Sequence, residues 1–325
     1  MANLETRFAN LKLKNPLIAA SSGLTNTLEK IKAMENAGVG AIVLKSLFEE
    51  QIESHTEKLL SITDYPEAAD YINTYIELNH VEKYLDLIRD AKAECEIPII
   101  ASINCYKLTR WTDFAKSIEN AGADALELNV LMINSGEFVD NYLEDTYQKI
   151  VRELKKTIRI PVVLKLAKSM SNFPGLVGKL KSLGTDGITL FNRLYNLDID
   201  IQKMEITSGP VFSHPSDFSD TLRWTAIVSG KVPDIDIACS YGVHSWENVV
   251  KGILAGANAI QLCSMLYEQG LDVVDDILVC LEEWMDQHNY HYIDDFRGKL
   301  NFSNVPNPAL YERVQFMKYF SNYNN

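Results

Sequence analysis

Apolar positions along this chain alternate between two rhythms. Amphipathic stretches with apolar residues three and four apart give way to short, unbroken runs rich in Val, Ile, Leu and Ala. The junction takes one form at four places. Gly38, Gly122, Gly184 and Gly256 each end an amphipathic stretch, and the β-prone runs that follow stop at Lys45, Asn129, Asn192 and Ser264. Glycine at such a point closes a helix with a positive φ, so each copy reads as a helix-to-strand joint. Across the whole chain the pattern predicts strands at Leu17–Ala20, Ala41–Lys45, Ile97–Asn104, up to Asn129, Pro161–Leu166, up to Phe191, Asp236–Ser240 and Asn258–Cys263. Predicted helices cover Thr27–Asn36, Val81–Glu94, Trp111–Asn120, Leu143–Thr157, Pro174–Leu183, Thr221–Ser229, Ser245–Leu254 and Val273–His288.

Strands that alternate with helices in this way predict an α/β protein, a single (β/α)8 TIM barrel over residues 1–325. A hairpin at Thr6–Leu13 precedes the barrel, and an aromatic C-terminal extension begins at Asn289. Insertions follow strand 2 (Ser46–Asn79) and strand 6 (Arg193–Ser219), and segments of that length suit lids or oligomer contacts. In such a barrel the C-terminal ends of the strands carry the chemistry, and the polar stops fall there.

Composition narrows the picture. A chain of 325 residues with 46% apolar content buries a large core. The net charge of −13 argues against a nucleic-acid partner, which needs a basic face. Cys95, Cys105, Cys239, Cys263 and Cys280 show no paired spacing, so reduced thiols are expected rather than disulfides, a metal site or an iron–sulfur site. The N-terminus has no hydrophobic signal core and no apolar run reaches membrane-spanning length, so a cytoplasmic protein without a membrane partner is expected.

Two lysines stand out. Lys165 interrupts the apolar run Val162-Val163-Leu164-Lys165-Leu166, and Lys45 ends Ala41-Ile42-Val43-Leu44. An ammonium in a buried strand is costly unless it is paired or sits at the mouth of a site. Lys165 suits a Schiff-base nucleophile or a positive charge beneath an anionic cofactor, with a lysine snorkelling from the strand end as the plain alternative. Asn104, Asn129 and Asn192 at strand ends, and Asn134 in the loop beyond Asn129, offer donor and acceptor together. Any one of them suits a loop cap, but the set suits a planar heterocycle. The turns after strands 7 and 8 hold Gly242 and Ser264, where barrels of this type bind phosphate.

Read in order, Asn15-Pro16, Ala20-Ser21-Ser22-Gly23, Lys45-Ser46, Ser102-Ile103-Asn104, Glu127-Leu128-Asn129, Val163-Leu164-Lys165-Leu166, Ser208-Gly209-Pro210, Gly242, Ala255-Gly256-Ala257 and Asp295-Phe296-Arg297-Gly298 resemble the dihydroorotate dehydrogenase family of FMN barrels, over nearly the whole chain. Without the N-terminal membrane-binding extension of the quinone-linked branch, the chain looks like the soluble branch. The resemblance implies FMN surrounded by Ser22, Gly23, Lys45, Ser46, Asn104, Asn129 and Lys165, with Gly209, Gly242 and Ser264 at the ribityl phosphate. It implies that Lys165 stabilises the reduced, anionic flavin, and that Lys45, Asn129, Asn134 and Asn192 hold the substrate.

The chain also departs from the family. In the soluble branch the loop after strand 4 reads Asn-x-Ser-Cys-Pro-Asn, with the cysteine as general base. Here Asn129-Val130-Leu131-Met132-Ile133-Asn134 puts Met132 in that place, and a thioether takes no proton at neutral pH. Ser135 and Cys105 are the catalytic candidates for its replacement. Arg193 stands where the family carries a small hydroxyl residue, and is either a carboxylate clamp or a solvated loop charge. His80 and His244 are read as structural.

The expectation is an FMN-dependent oxidoreductase acting on a CH–CH bond, with oxidation of dihydroorotate to orotate in pyrimidine biosynthesis as the named reaction. Three alternatives stay open: a flavoprotein acting on another small cyclic substrate, a Schiff-base lyase or aldolase using Lys165, and a non-catalytic FMN- or phosphate-binding protein. The expected partners are a pyrimidine-like carboxylate and an electron acceptor, either fumarate or a separate electron-transfer subunit. The aromatic tail and long insertions suit a homodimer.

Overall fold

The computed structural model describes residues 2–48, 66–104, 108–130, 142–168, 172–193 and 196–312. A hairpin opens the chain, β1 (Thr6–Phe8) paired antiparallel with β2 (Leu11–Leu13). Its turn residues Ala9 and Asn10 both have positive φ, the twist that two-residue hairpin turns favour. The parallel strands follow as β3 (Leu17–Ala19), β4 (Ala41–Val43), a short β5 (Leu47–Phe48), β6 (Ile99–Asn104), β7 (Ala125–Asn129), β8 (Val162–Leu166) and β9 (Gly187–Leu190). An exposed antiparallel ribbon intervenes, β10 (Leu197–Asp200) with β11 (Glu205–Ser208), before β12 (Asp236–Cys239) and β13 (Ala259–Leu262) complete the set. Neighbours pair in the order β4-β3-β13-β12-β9-β8-β7-β6, and β4 pairs with β6 to close the ring. The fold is therefore the expected (β/α)8 barrel.

Helices α1 (Leu28–Asn36), α2 (Pro66–Glu94), α3 (Leu108–Ala121), α4 (Tyr142–Thr157), α5 (Phe173–Ser182), α6 (Phe218–Lys231), α7 (Trp246–Ala255), α8 (Ser264–Gln269), α9 (Val273–Gln287) and a short α10 (Ala309–Glu312) connect and cover the strands. Gly38, Gly122, Gly184 and Gly256 all have φ between 97° and 114°, so the repeated joint is built as its sequence implies.

Alternation along each strand sorts side chains into two cores. Leu126, Leu128, Leu164, Ile188, Ile237 and Ile260 face the helices. Facing the lumen, Ile18, Val43, Ile100, Ala125 and Val163 meet Phe8 and Leu13 of the hairpin, which plug the bottom of the barrel. Burying each of these two large plug side chains contributes about 2 kcal/mol. Two residues further along the same strands, the lumen turns polar.

The segments between strands hold more regular structure than the pattern alone predicts. Pro66 starts α2, where proline is tolerated because the first helical turn needs no intrahelical partner for its N–H. The predicted insertion Ser46–Asn79 is thus helical from Pro66 onward and carries β5 at its start. The insertion after strand 6 holds the β10–β11 ribbon, in which Ile199 faces Ile206 and both are exposed. The turn after β13 continues into α8. Among the described residues no helix is long and apolar enough to cross a membrane.

Candidate functional site

Above the plug, the lumen carries a layer of Ser102, Glu127, Thr189 and Gln261, all essentially without solvent contact. Period two puts them there: Glu127 follows Ala125 on β7, Thr189 follows Gly187 on β9, and Gln261 follows Ala259 on β13. Glu127 Oε2 accepts from Gln261 Nε2 at 2.7 Å and from Thr189 Oγ1 at 3.0 Å. The other end of the same carboxamide, Gln261 Oε1, accepts from Lys165 Nζ at 3.2 Å and from Ser240 Oγ at 3.1 Å. Glu127 Oε1 has no hydrogen-bond partner and lies 3.8 Å from Lys165 Nζ. Lys165, two residues above Val163 on β8, is therefore a buried ammonium with a carboxylate counter-charge beneath it. Such a pair is tolerable only because both partners are held by further hydrogen bonds.

Lys165 forms the floor of a cavity of about 370 Å³ at the C-terminal ends of the strands. Ala20, Phe191, Val211 and Phe212 give it apolar walls, while Asn192, Arg193, Ser213 and Ser264 add polar groups. A larger depression of about 870 Å³ lies at the opposite end, beside Arg7, Asp236, Asn258 and Arg297. Its polar groups largely satisfy one another, as in Arg297 with Asp294 and Asn258 with Asp236. The upper cavity is the better candidate for chemistry.

Beside it runs a string of hydroxyls: Ser21 Oγ lies 3.1 Å from Ser46 Oγ, which lies 2.7 Å from Ser102 Oγ. Asn129 Nδ2 reaches Ser46 Oγ at 3.5 Å, and Asn129 Oδ1 accepts from Asn192 Nδ2. Burial pushes the Cys263 thiol above its ordinary pKa, against the opposing pull of Lys165. Burial likewise raises the Tyr241 phenol, with Asp217 acting in the same direction.

The fold brings Lys165, Asn129, Asn192, Ser46 and Ser264 to this end of the barrel, and Asn104 ends β6 nearby in a buried position. Lys45 is half-buried after β4, its backbone N–H donating to Thr25 O. Ser22 caps the 3-10 turn Gly23–Thr25, and a Cβ on Gly23 would lie 2.8 Å from the Tyr267 hydroxyl. Gly242 has a φ of +81°, and a Cβ there would lie 2.2 Å from Phe218 N, so it makes room for the start of α6. Gly209 closes the ribbon by donating to Asn196 O. Neither of these two glycines lines the described cavity wall. Cys105, Met132, Asn134 and Ser135 lie outside the described residues.

Glu127, Thr189, Gln261 and Ser213 escape a reading of the sequence alone. Glu127 and Gln261 carry the signal that makes Lys165 conspicuous, a long polar side chain between aliphatic neighbours in a short strand. Ser213 carries no such signal, because it sits in an irregular segment.

Residues 3–285 match the family model described as dihydroorotate dehydrogenase. A relative from Thermoplasma acidophilum, named dihydroorotate dehydrogenase B (NAD(+)), catalytic subunit, is 27% identical over 92% of this chain and 99% of its own length. A protein of the same name from Pyrococcus horikoshii is 26% identical over 91% of this chain and 97% of its own. One from Aeropyrum pernix, provisionally named dihydroorotate dehydrogenase A (fumarate), is 26% identical over 91% and 96%. With a barrel rim built around a buried, counter-charged lysine and a family match over most of its length, the chain belongs to the dihydroorotate dehydrogenase family of oxidoreductases.

Proposed function

We propose that this protein is an FMN-dependent oxidoreductase that oxidises dihydroorotate to orotate in pyrimidine biosynthesis, acting as a single domain over its length. The observation that carries the proposal is Lys165, an ammonium fixed at the floor of the rim cavity by Glu127 and Gln261. The residues present fit a cofactor with a planar ring and an anionic tail. A cation lies at the floor, apolar groups such as Ala20 and Phe191 flank it, and hydroxyls gather at Ser213 and Ser264.

FMN supplies a hydride acceptor when bound. Lys165 offers a preorganised positive charge to the negative charge gained on reduction. Asn129 and Asn192, locked to each other, orient a substrate carboxylate and its amide groups, with Lys45 and Asn134 completing the substrate set. Dihydroorotate loses a hydride and a proton from adjacent carbons. Met132 cannot take that proton, so the role falls to Ser135 or Cys105.

A Schiff-base role for Lys165 is disfavoured, because its ammonium donates to Gln261 Oε1 and lies 3.8 Å from the Glu127 carboxylate. The names of the relatives supply two oxidants to test, a partner subunit that delivers electrons to NAD(+) and fumarate.

The test is anaerobic incubation of the FMN-loaded protein with dihydroorotate, using fumarate or a redox dye as acceptor, and chromatographic detection of orotate. Orotate should form with at least one acceptor, and Lys165→Ala should slow it by about a hundredfold or more. An FMN-loaded protein that yields no orotate with either acceptor would move the substrate elsewhere.

A further inference from the structure

Two cations face the rim cavity, and they are balanced differently. Lys165 and Arg193 are the charged groups among the described residues that line it. Lys165 has Glu127 Oε1 at 3.8 Å beneath it, whereas Arg193 forms no ion pair with a described carboxylate. Arg89 and Arg297, elsewhere in the chain, each meet an aspartate. In a chain of net charge −13, an unpaired guanidinium on a cavity wall is a departure that folding does not explain.

The partners that hold Arg193 are neutral. Its Nη2 donates to Pro210 O, and its Nε is buried without a hydrogen-bond partner. Asp217, which acts on the neighbouring Tyr241 phenol, accepts instead from the His214 N–H at 2.8 Å. Burial raises both the Tyr241 phenol and the Cys263 thiol on the cavity wall, and the Arg193 charge pulls each the other way. The field of the guanidinium therefore falls inside the cavity. A partly desolvated guanidinium without a counter-charge is costly until an anion reaches it.

The neighbours of Arg193 say which anion. Asn192 immediately precedes it and lines the same cavity, with its backbone N–H on Leu166 O at 2.8 Å and its amide on Asn129 Oδ1. The end of β9, the sixth barrel strand, thus delivers a fixed carboxamide and a guanidinium side by side. A carboxamide reads the donor and acceptor edge of a cyclic amide. The planar fork of arginine reads a carboxylate through two parallel N–H···O bonds. The turns that suit phosphate follow other strands, β12 and β13.

Resting on the oxidoreductase reading above, we propose that Arg193 is a specificity-determining residue that grips the substrate carboxylate. The site then selects a cyclic amide bearing a carboxylate over the same ring without one, because the bare ring leaves the guanidinium unpaired.

Orotate and uracil share a ring and differ by that carboxylate. The full-length chain, with FMN supplied, is titrated with each by calorimetry. Orotate should bind more tightly. Arg193→Leu should cut that preference about a hundredfold by weakening orotate alone, the size of two charge-assisted hydrogen bonds. Arg193→Lys, which keeps the charge and loses the fork, should lose only about tenfold, a grading that a packing defect would not give. An unchanged preference in Arg193→Leu, or equal losses for both ligands, overturns the clamp and leaves the oxidoreductase reading standing. If Arg193→Leu instead loses its preference for FMN over riboflavin, the guanidinium serves the cofactor phosphate and the clamp is overturned. Orotate held through Arg193 while dihydroorotate leaves the flavin oxidised supports the clamp and moves the reaction elsewhere. A chain that binds neither pyrimidine overturns the named substrate, and the clamp with it.

Discussion

Lys165 Nζ and Glu127 Oε1 lie 3.8 Å apart in the barrel lumen, and that carboxylate oxygen has no hydrogen-bond partner. On the flavin reading proposed above, the charge that Lys165 offers to a reduced cofactor is partly neutralised from below. Glu127→Gln removes one negative charge close to the cofactor and should favour reduction. The change is worth about 2 kcal/mol, or roughly 40 mV upward for a two-electron couple. Spectroelectrochemical titration of the bound flavin checks both sign and size.

The same pair predicts non-additive stability. Lys165→Met strands the Glu127 carboxylate in a dry lumen and should cost about 3 kcal/mol or more in urea unfolding. Adding Glu127→Leu should restore most of that loss, because an apolar pair in the same volume carries no unpaired charge. If the two substitutions simply add, the pair is not coupled as drawn.

Burial keeps the Cys263 thiol protonated beyond its ordinary pKa, even though Lys165 pulls the other way. A thiol is alkylated as thiolate, which for Cys263 appears only above the usual value of about 8.5. At neutral pH its peptide should react with iodoacetamide more slowly than an unfolded control, and the rate should climb only as pH rises past that value. Mass spectrometry of the digested protein reads this directly.

Two glycines should respond in opposite directions. Gly242→Ala drives a Cβ to within 2.2 Å of Phe218 N at a positive φ, and should cost about 3 kcal/mol or more. Gly178, inside α5, has open space where a Cβ would go, so Gly178→Ala should stabilise by about 0.8 kcal/mol. Thermal and urea unfolding of the two variants provide the comparison.

The barrel was legible because its joints depend on local chemistry. Gly38, Gly122, Gly184 and Gly256 needed positive φ, and each has it. Lys165 and Asn129 were legible because a polar group in a buried strand demands a reason. Glu127 and Gln261 showed the same sign, but their significance lies in meeting across the lumen from β7 and β13, which only barrel closure brings about. The contact between Ser213 and His244 depends on where an irregular segment lands against the barrel, and no periodicity encodes that. The first turns of α2 fell inside the predicted insertion Ser46–Asn79, because proline marks both loops and helix starts.

The most direct test of the central claim is the visible spectrum of the purified, FMN-loaded protein before and after dihydroorotate is added without oxygen. The oxidised flavin bands should bleach on addition and return when fumarate, a redox dye or air is admitted. A spectrum that dihydroorotate leaves unchanged, while dithionite still bleaches it, would contradict dihydroorotate oxidation and leave only the flavin-binding barrel.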